Sequence, residues 1–234
     1  MPYPVLSLFS LLIFVCVHMW AQKTQEFSKT LQSRLLSIGG GVAIAYVFID
    51  LLPGLSESDV VVKKALSGVF PYFERHVYVM ALAGFLLFFV VDRSEVFVQK
   101  QGAFWLSLAS YGLFNFFVGY AVADKNNPEI QPLFLFTFAI ALHYFTNDYA
   151  LSKEHGDQYK RIGKWLLIIC LFLGWLIGLW TKLPATAVAL ISAFIAGGVI
   201  MNVTRHELPE ENPNSSRSFL LAAAFYTIIL LAIG

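Results

Sequence analysis

Eight apolar segments of roughly 20 residues each recur along the chain, and this repetition constrains the fold more than any other feature. A helix of that length crosses the hydrocarbon core of a bilayer, where a backbone can satisfy its hydrogen bonds only in helices or closed barrels. Of the 234 residues, 58% are hydrophobic and 13% are charged, too little polar surface for a water-soluble domain. The sequence predicts an all-α integral membrane protein with one transmembrane domain, residues 1–234. The predicted spans are 2–20, 35–53, 76–92, 104–122, 132–151, 165–181, 184–204 and 218–234.

The distribution of Lys and Arg predicts the orientation of these spans. With both termini on the outer face, 11 of the 16 Lys and Arg residues fall in inside loops, as the positive-inside rule requires. We therefore predict a multi-pass protein of the plasma or inner membrane with both termini outside. The net charge of +1 provides no basic field, so we expect no nucleic-acid partner. Cys16 and Cys170 have neither metal-ligand spacing nor a disulfide pattern.

Two of the predicted spans look like copies of one another. The second span contains GGV at 40–42 and closes with DLLP at 50–53, and the seventh contains GGV at 197–199 and closes with ELP at 207–209. In the predicted orientation the two spans run in opposite directions. The pattern therefore predicts an inverted repeat, which is common in secondary transporters.

The acidic residues that close these two spans are candidates for a transport route. Asp50 would lie near the outer mouth, and Glu207, next to His206, near the inner one. The alternative is that the glycines only let two helices pack closely and that the prolines end them. The motif by itself leaves both interpretations open.

A histidine, an asparagine and an aspartate interrupt the fifth apolar segment, within ALHYFTNDYAL. An ionisable group at mid-depth costs several kcal/mol unless it faces a cavity or a partner, so we expect His143 to face the bundle interior. Asn147 shares that face one helical turn on, and Asp148 lies about 100° around the helix. Tyr111 and Asn115 repeat the four-residue spacing in the fourth span.

Two antiparallel helices with these side chains would bring together an imidazole, a phenol and two carboxamides. Such a set offers one nitrogen ligand and several oxygen ligands, and it binds transition metals weakly. Alternatively, the same groups form interhelical hydrogen bonds worth about 1 kcal/mol each, and His143 is a satisfied core histidine. The spacing does not distinguish these two hypotheses.

These motifs together resemble the ZIP family of divalent-metal transporters. The stretches SIGGGVAIAYVFIDLLPGL and ISAFIAGGVIMNVTRHELPEE look like the Gly-rich second and seventh helices of that family. Where the family's fourth helix carries His-Asn-x-x-(Asp/Glu)-Gly, this chain has YGLFNF, beginning at Tyr111. Where the fifth carries His-Glu-x-Pro-(His/Glu)-Gly, this chain has HYFTND, which keeps His143 and places Asp148 at the glycine. Asn115 and Asn147 stand where the family has bridging carboxylates.

The resemblance implies eight helices, with an inverted repeat of helices 1–3 and 6–8 around a central pair of helices 4 and 5. It also implies alternating-access transport of a divalent cation of the zinc, iron or manganese class, as a substrate and not as a tightly bound cofactor. Whether the protein forms a homodimer in the lipid bilayer is left open. The implied site consists of His143, Asn147, Asn115, Tyr111 and Asp148, with Asp50, Glu207 and His206 along the entrance and exit.

The missing carboxylates support an alternative hypothesis, a ZIP-like protein that does not transport and instead senses, scaffolds or regulates a membrane partner. We predict no enzyme activity, because the sequence has no HExxH, no GxSxG and no phosphate-binding loop followed by Lys. We also expect no haem, because His18 is placed at the inner end of the first span and His143 near mid-depth.

Overall fold

The computed structural model describes residues 2–66, 75–94, 98–124, 132–208 and 213–233, and within these ranges every regular element is helical. The helices are α1 (Tyr3–Trp20), α2 (Lys29–Tyr46), α3 (Leu52–Leu66), α4 (His76–Asp92), α5 (Lys100–Ala123), α6 (Leu133–Gln158), α7 (Lys164–Trp180), α8 (Ala185–Asn202) and α9 (Pro213–Ile233). A 3₁₀ helix (Ala21–Glu26) follows α1, and π-helical turns follow α2 (Val47–Leu51), α6 (Tyr159–Gly163) and α8 (Val203–Glu207).

Six helical stretches in the described residues are long and apolar enough to cross a membrane. They are Tyr3–Thr24, Lys29–Ala65, Lys100–Ala123, Leu133–Trp180, Ala185–Arg205 and Ser215–Ile233. The helix α4 is also apolar but has 17 residues. The chain is therefore a helical, multi-pass membrane protein.

The helix that contains the second predicted span continues beyond Pro53. The helix continues through a π turn into α3, which reaches Leu66. Proline has no N–H group, and its ring clashes with the carbonyl four residues earlier in an α-helix. In the π turn, Leu52 N–H donates to the carbonyl of Val47, five residues back, and this wider pairing accommodates the proline that follows. A second π turn, Val203–Glu207, likewise precedes the Leu-Pro sequence at 208–209.

The glycines of the repeated GGV sequences allow close contacts between helices. A Cβ atom at Gly41 would overlap the backbone carbonyl of Phe219 in α9. A Cβ atom at Gly197 would overlap the carbonyl of Ala81 in α4. Small residues permit this approach in membranes, where dispersion contacts and not hydrophobic burial hold helices together.

Contacts at both ends of each helix pair establish the relative directions of the helices. The pairs are Tyr149 with Gln32 and Phe136 with Tyr46 (α6 with α2), His155 with Phe104 and His143 with Phe114 (α6 with α5), and Asn202 with Tyr111 and Phe194 with Phe117 (α8 with α5). Each pair is antiparallel. It follows that α2 and α8, the two helices with GGV sequences, run in opposite directions.

The helix α5 lies at the centre of the bundle and α9 at its periphery. Of the 18 most apolar consecutive residues of α5, 72% are buried, whereas only 11% of the corresponding residues of α9 are buried. The outward side of α9 presents Leu220, Leu221 and Phe225, as expected for a lipid-facing surface. The polar residues of α5 and α6 are therefore enclosed by other helices.

Candidate functional site

His18 joins three helices at the centre of the bundle. It lies on the last turn of α1, between Asp148 of α6 and Asn115 of α5. Its Nδ1 atom is 2.7 Å from Asp148 Oδ2, and its Nε2 atom is 2.9 Å from Asn115 Oδ1. All three side chains are at most 1% exposed. An ionisable pair is thus enclosed among helices, where burial of a charge is costly unless a partner compensates it.

The network continues from Asn115 to the helix α8. Asn115 Nδ2 donates to the backbone carbonyl of Tyr111 over 2.8 Å, which sets the orientation of the amide. The Tyr111 hydroxyl in turn donates to Oδ1 of Asn202 over 3.1 Å. Both Tyr111 and Asn202 are buried. Side chains of α1, α5, α6 and α8 are therefore connected by polar contacts in an otherwise apolar bundle.

His143 and Asn147 form a separate pair on another face of α6. Asn147 Nδ2 donates to His143 Nε2 over 3.0 Å, and the ring of Phe114 packs 5.6 Å from the imidazole. Positions 143 and 148 are about 140° apart around an α-helix, so Asp148 points elsewhere. The structure brings Asn115 and Asp148 together through His18, and the proposed five-residue site divides into two parts.

Three buried polar atoms near these contacts have no hydrogen-bond partner within the described part of the protein. They are Asn147 Oδ1, Asn202 Nδ2 and the hydroxyl of Tyr144, whereas the hydroxyl of Tyr159 interacts with Asp148. The ring of Tyr144 packs 4.8 Å from that of His18. A buried polar group without a partner costs about 1 to 3 kcal/mol, so a water molecule or another polar group that bonds to these atoms would stabilise the protein.

The donor set favours a hard cation over a thiophilic one. Asp148 provides a carboxylate, His18 an imidazole, and Asn115 an amide oxygen. Oxygen-rich sets of this kind suit Mn²⁺, Mg²⁺ or Ca²⁺, and imidazole extends the range to the later transition metals. Among the described residues, no group of three or more His, Cys, Asp or Glu side chains is placed to hold a metal ion.

Neither a scan against protein-family models nor a search of curated proteins finds a match for this chain. The resemblance to the ZIP family therefore stays a prediction that depends on the motifs quoted above.

A small recess of about 50 Å³ at one end of the bundle borders the polar network. Tyr111 contributes to its wall, and its other polar lining residues are Asp92, Ser94, Ser107, Glu154 and His155. Tyr111 is the residue that connects Asn115 with α8, so the recess and the network share a side chain. The recess therefore borders the network at Tyr111.

A salt bridge crosses the same end of the bundle. Arg205, in the π turn after α8, has its Nε atom 2.9 Å from Asp92 Oδ2 on α4. Arg205 is half-exposed, and Asp92 is 11% exposed. This contact holds α4 to the end of α8 beside the recess.

The predicted entrance and exit residues lie in the two π turns. Asp50 is half-buried in the turn after α2 and is hydrogen-bonded by Tyr46. It lies near the start of α6, because Tyr46 packs on Phe136, whereas the recess lies at the other end of α6. The side chains of Glu207 and His206 fall outside the described residues.

Two members of the network, His18 and Asn202, were not among the residues predicted for the site. His18 did carry a signal, since an ionisable residue in an apolar span indicates a functional position. The sequence places it at the inner end of the first span, and the structure buries it completely. Asn202 is one polar residue after a long apolar run, and only its contact with Tyr111 indicates a role.

Proposed function

We propose that this protein transports a divalent cation through the polar centre of its helix bundle by alternating access. The observation that carries the proposal is the completely buried contact of His18 with Asp148 and Asn115. Ionisable groups inside membrane proteins mark ion or substrate pathways, because a bilayer interior penalises them unless they serve a function. Discontinuous helices around such a site are a feature of secondary transporters.

The substrate class follows from the ligands that the site offers. One carboxylate, one imidazole and amide oxygens favour Mn²⁺ over ions that require several thiolates or imidazoles. The resemblance to the ZIP family supports a divalent cation of the zinc, iron or manganese class. Because Asn115 replaces a carboxylate of that family, binding is weak, as a transported substrate requires.

The arrangement of helices supports an eight-span topology. The stretch Leu133–Trp180 has 48 residues, more than twice the roughly 20 that one crossing needs. Gly156, with φ of 47° and ψ of −118°, interrupts the helix within it, so α6 and α7 serve as two crossings. Together with α1, α2, α4, α5, α8 and α9, these two helices give eight membrane crossings.

The opposed directions of α2 and α8 support an inverted repeat. Each of these helices carries a GGV sequence and is followed by a π turn before a Leu-Pro sequence. The Lys and Arg distribution supports placing both termini outside a plasma or inner membrane.

The transport route joins features at opposite ends of α6. A cation enters past Asp50, binds at Asp148 beside His18, and leaves through the recess that Asp92 and Glu154 line. The π turn with His206 and Glu207 continues directly from Arg205, which is paired with Asp92 beside that recess. Rocking of the repeats would open the two ends in turn.

The test is Mn²⁺ binding by calorimetry in detergent and Mn²⁺ uptake into proteoliposomes, with Zn²⁺, Fe²⁺ and Cd²⁺ for comparison. We expect Asp148→Asn to abolish both signals. Asp157→Asn is the matched control, because Asp157 is exposed near the end of the same helix. Folded wild-type protein that neither binds nor moves any of the four ions contradicts the proposal.

One observation favours a second candidate, a ZIP-like protein that senses or scaffolds a membrane partner without transport. Both ring nitrogens of His18 already have partners, so the network is also suited to holding helices together. In that case, Asp148→Asn lowers thermal stability, no ion binds, and a partner co-purifies with the wild-type protein.

A further inference from the structure

Two contacts between a lysine and a tryptophan lie at the end of the bundle that holds the recess. The ammonium of Lys23 lies 5.6 Å over the ring of Trp20, and that of Lys164 lies 5.4 Å over the ring of Trp165. Both tryptophans face outward, with exposed fractions of 69% and 49%. Tryptophan prefers the interface between membrane and water, and a long basic side chain beside it keeps its charge at the level of the lipid headgroups. These pairs therefore place positive charge at the height of the lipid phosphates.

Helix contacts bring the two pairs to the same side of the bundle. His18, in the last turn of α1, is 2.7 Å from Asp148 Oδ2, and the hydroxyl of Tyr159 interacts with the same aspartate. Because Tyr159 begins the π turn that leads into α7, the end of α1 and the start of α7 lie close together. Toward the other end of both helices, Trp175 Nε1 donates to Ser7 Oγ over 3.1 Å. The helices α1 and α7 are thus antiparallel neighbours.

Four basic side chains gather at this end without an acidic partner. Lys160 and Arg161 are exposed in the π turn before α7, and they add to the charges of Lys23 and Lys164. In the described part of the chain, no carboxylate lies within salt-bridge distance of any of the four. Each Lys or Arg near an anionic membrane surface strengthens binding by about fivefold. We call the following residues the basic rim: Trp20, Lys23, Lys160, Arg161, Lys164 and Trp165.

An exposed apolar stripe runs along α7 away from the basic rim. It consists of Trp165, Ile169, Leu173 and Ile177. These residues follow one another at four-residue intervals, so they share one face of the helix. A phosphate at the rim would therefore have a surface for hydrocarbon directly beside it. A soluble phosphate would leave this stripe uncovered, whereas a phospholipid would contact both the charges and the stripe.

We propose that the basic rim binds the headgroup of an anionic phospholipid, with an acyl chain of that lipid along the apolar stripe of α7. The four basic side chains pair with the lipid phosphate, and the tryptophans pack beside the glycerol region. In the predicted orientation this end lies at the inner face, where the leaflet contains anionic lipids. The inference goes beyond the proposed transport function and does not depend on it.

Native mass spectrometry of the purified full chain in detergent tests the proposal, with dioleoyl phosphatidylglycerol and dioleoyl phosphatidylcholine as the two probes. We expect the first phosphatidylglycerol to bind at least about tenfold more tightly than phosphatidylcholine, whose headgroup has no net charge. The triple variant Lys160→Gln, Arg161→Gln, Lys164→Gln should lose most of this preference. The matched control carries Lys63→Gln, Lys64→Gln and Lys182→Gln, which remove the same charge from exposed positions toward the other end of the bundle, and it should keep the preference.

A salt series on the wild type guards against a variant that does not fold. The affinity for phosphatidylglycerol should fall as ionic strength rises, because salt screens exposed charges. A salt-independent affinity, equal affinity for the two lipids, or an unchanged preference in the rim variant would overturn the proposal. Glycerol 3-phosphate is the soluble probe with the same phosphate group and no acyl chain. If it displaces phosphatidylglycerol at equal concentration, the rim is a site for free phosphate and the assignment to a lipid fails.

Discussion

His18 and Asp148 lie 130 residues apart in the chain and share a 2.7 Å hydrogen bond where neither side chain is more than 1% exposed. The bond joins the first transmembrane helix to the centre of α6. Because both groups are ionisable, their contact affects the stability of the bundle, its charge and its affinity for cations.

Removing one member of this pair should destabilise the protein more than removing both. Breaking a buried ion pair costs about 3 to 5 kcal/mol, because the remaining group loses its partner. We expect Asp148→Asn and His18→Leu each to lower the midpoint of thermal unfolding in detergent. The double variant should lower the midpoint by less than the sum of the two single decreases. A melting experiment on the four proteins measures this coupling. Additive losses would mean that the two side chains do not stabilise one another.

Asn115→Asp should tighten cation binding. The new carboxylate would face the Nε2 atom of His18, on the opposite side of the ring from Asp148, and would double the number of carboxylates that contact His18. We expect the Kd for Mn²⁺ to fall at least about tenfold, equivalent to 1.4 kcal/mol. Calorimetry checks this against Gln101→Glu, which adds the same charge at an exposed position of the same helix. An equal gain in both variants would indicate a surface-charge effect and not a ligand.

Two adjacent glycines of α8 should respond differently to alanine. At Gly197 a Cβ atom would overlap the backbone of α4, which cannot move independently, so we expect a loss of about 1 to 3 kcal/mol in stability. At Gly198 the added atom meets the ring of Phe88, which can shift, and the higher helix propensity of alanine offsets part of the cost. Gly198→Ala should therefore unfold at a higher temperature than Gly197→Ala. The reverse order would contradict the packing described for α8.

A reporter fused after residue 234 should lie on the outer face. The prediction follows from the excess of Lys and Arg in the inside loops and from an even number of crossings. The accessibility of the fused reporter to an impermeant reagent in intact cells measures it, with an amino-terminal fusion as the internal comparison. A carboxyl-terminal reporter on the inner face would contradict the prediction and would also place the recess at the outer face of the membrane instead of the inner one.

Much of the fold is predictable because membrane helices depend on local sequence. Each apolar run must satisfy its own backbone hydrogen bonds in lipid, so long runs such as the one in α5 indicate helices without reference to the rest of the chain. The depth and spacing of Asn115 and Asp148 likewise pointed to a polar centre. The continuation of the second helix past Pro53 was not predicted, because a π turn before Pro53 depends on hydrogen bonding that the proline signal does not contain.

The sequence by itself determined that this is a helical membrane protein with polar groups on its fourth and fifth apolar segments, because hydropathy and helical periodicity are local properties. Only the tertiary structure decided which polar groups meet. His143 contacts Asn147, and His18 contacts Asp148 and Asn115, which are 130 and 97 residues away in the chain. Those contacts depend on which helices pack together, and packing is decided by glycine contacts and side-chain shapes far apart in the chain.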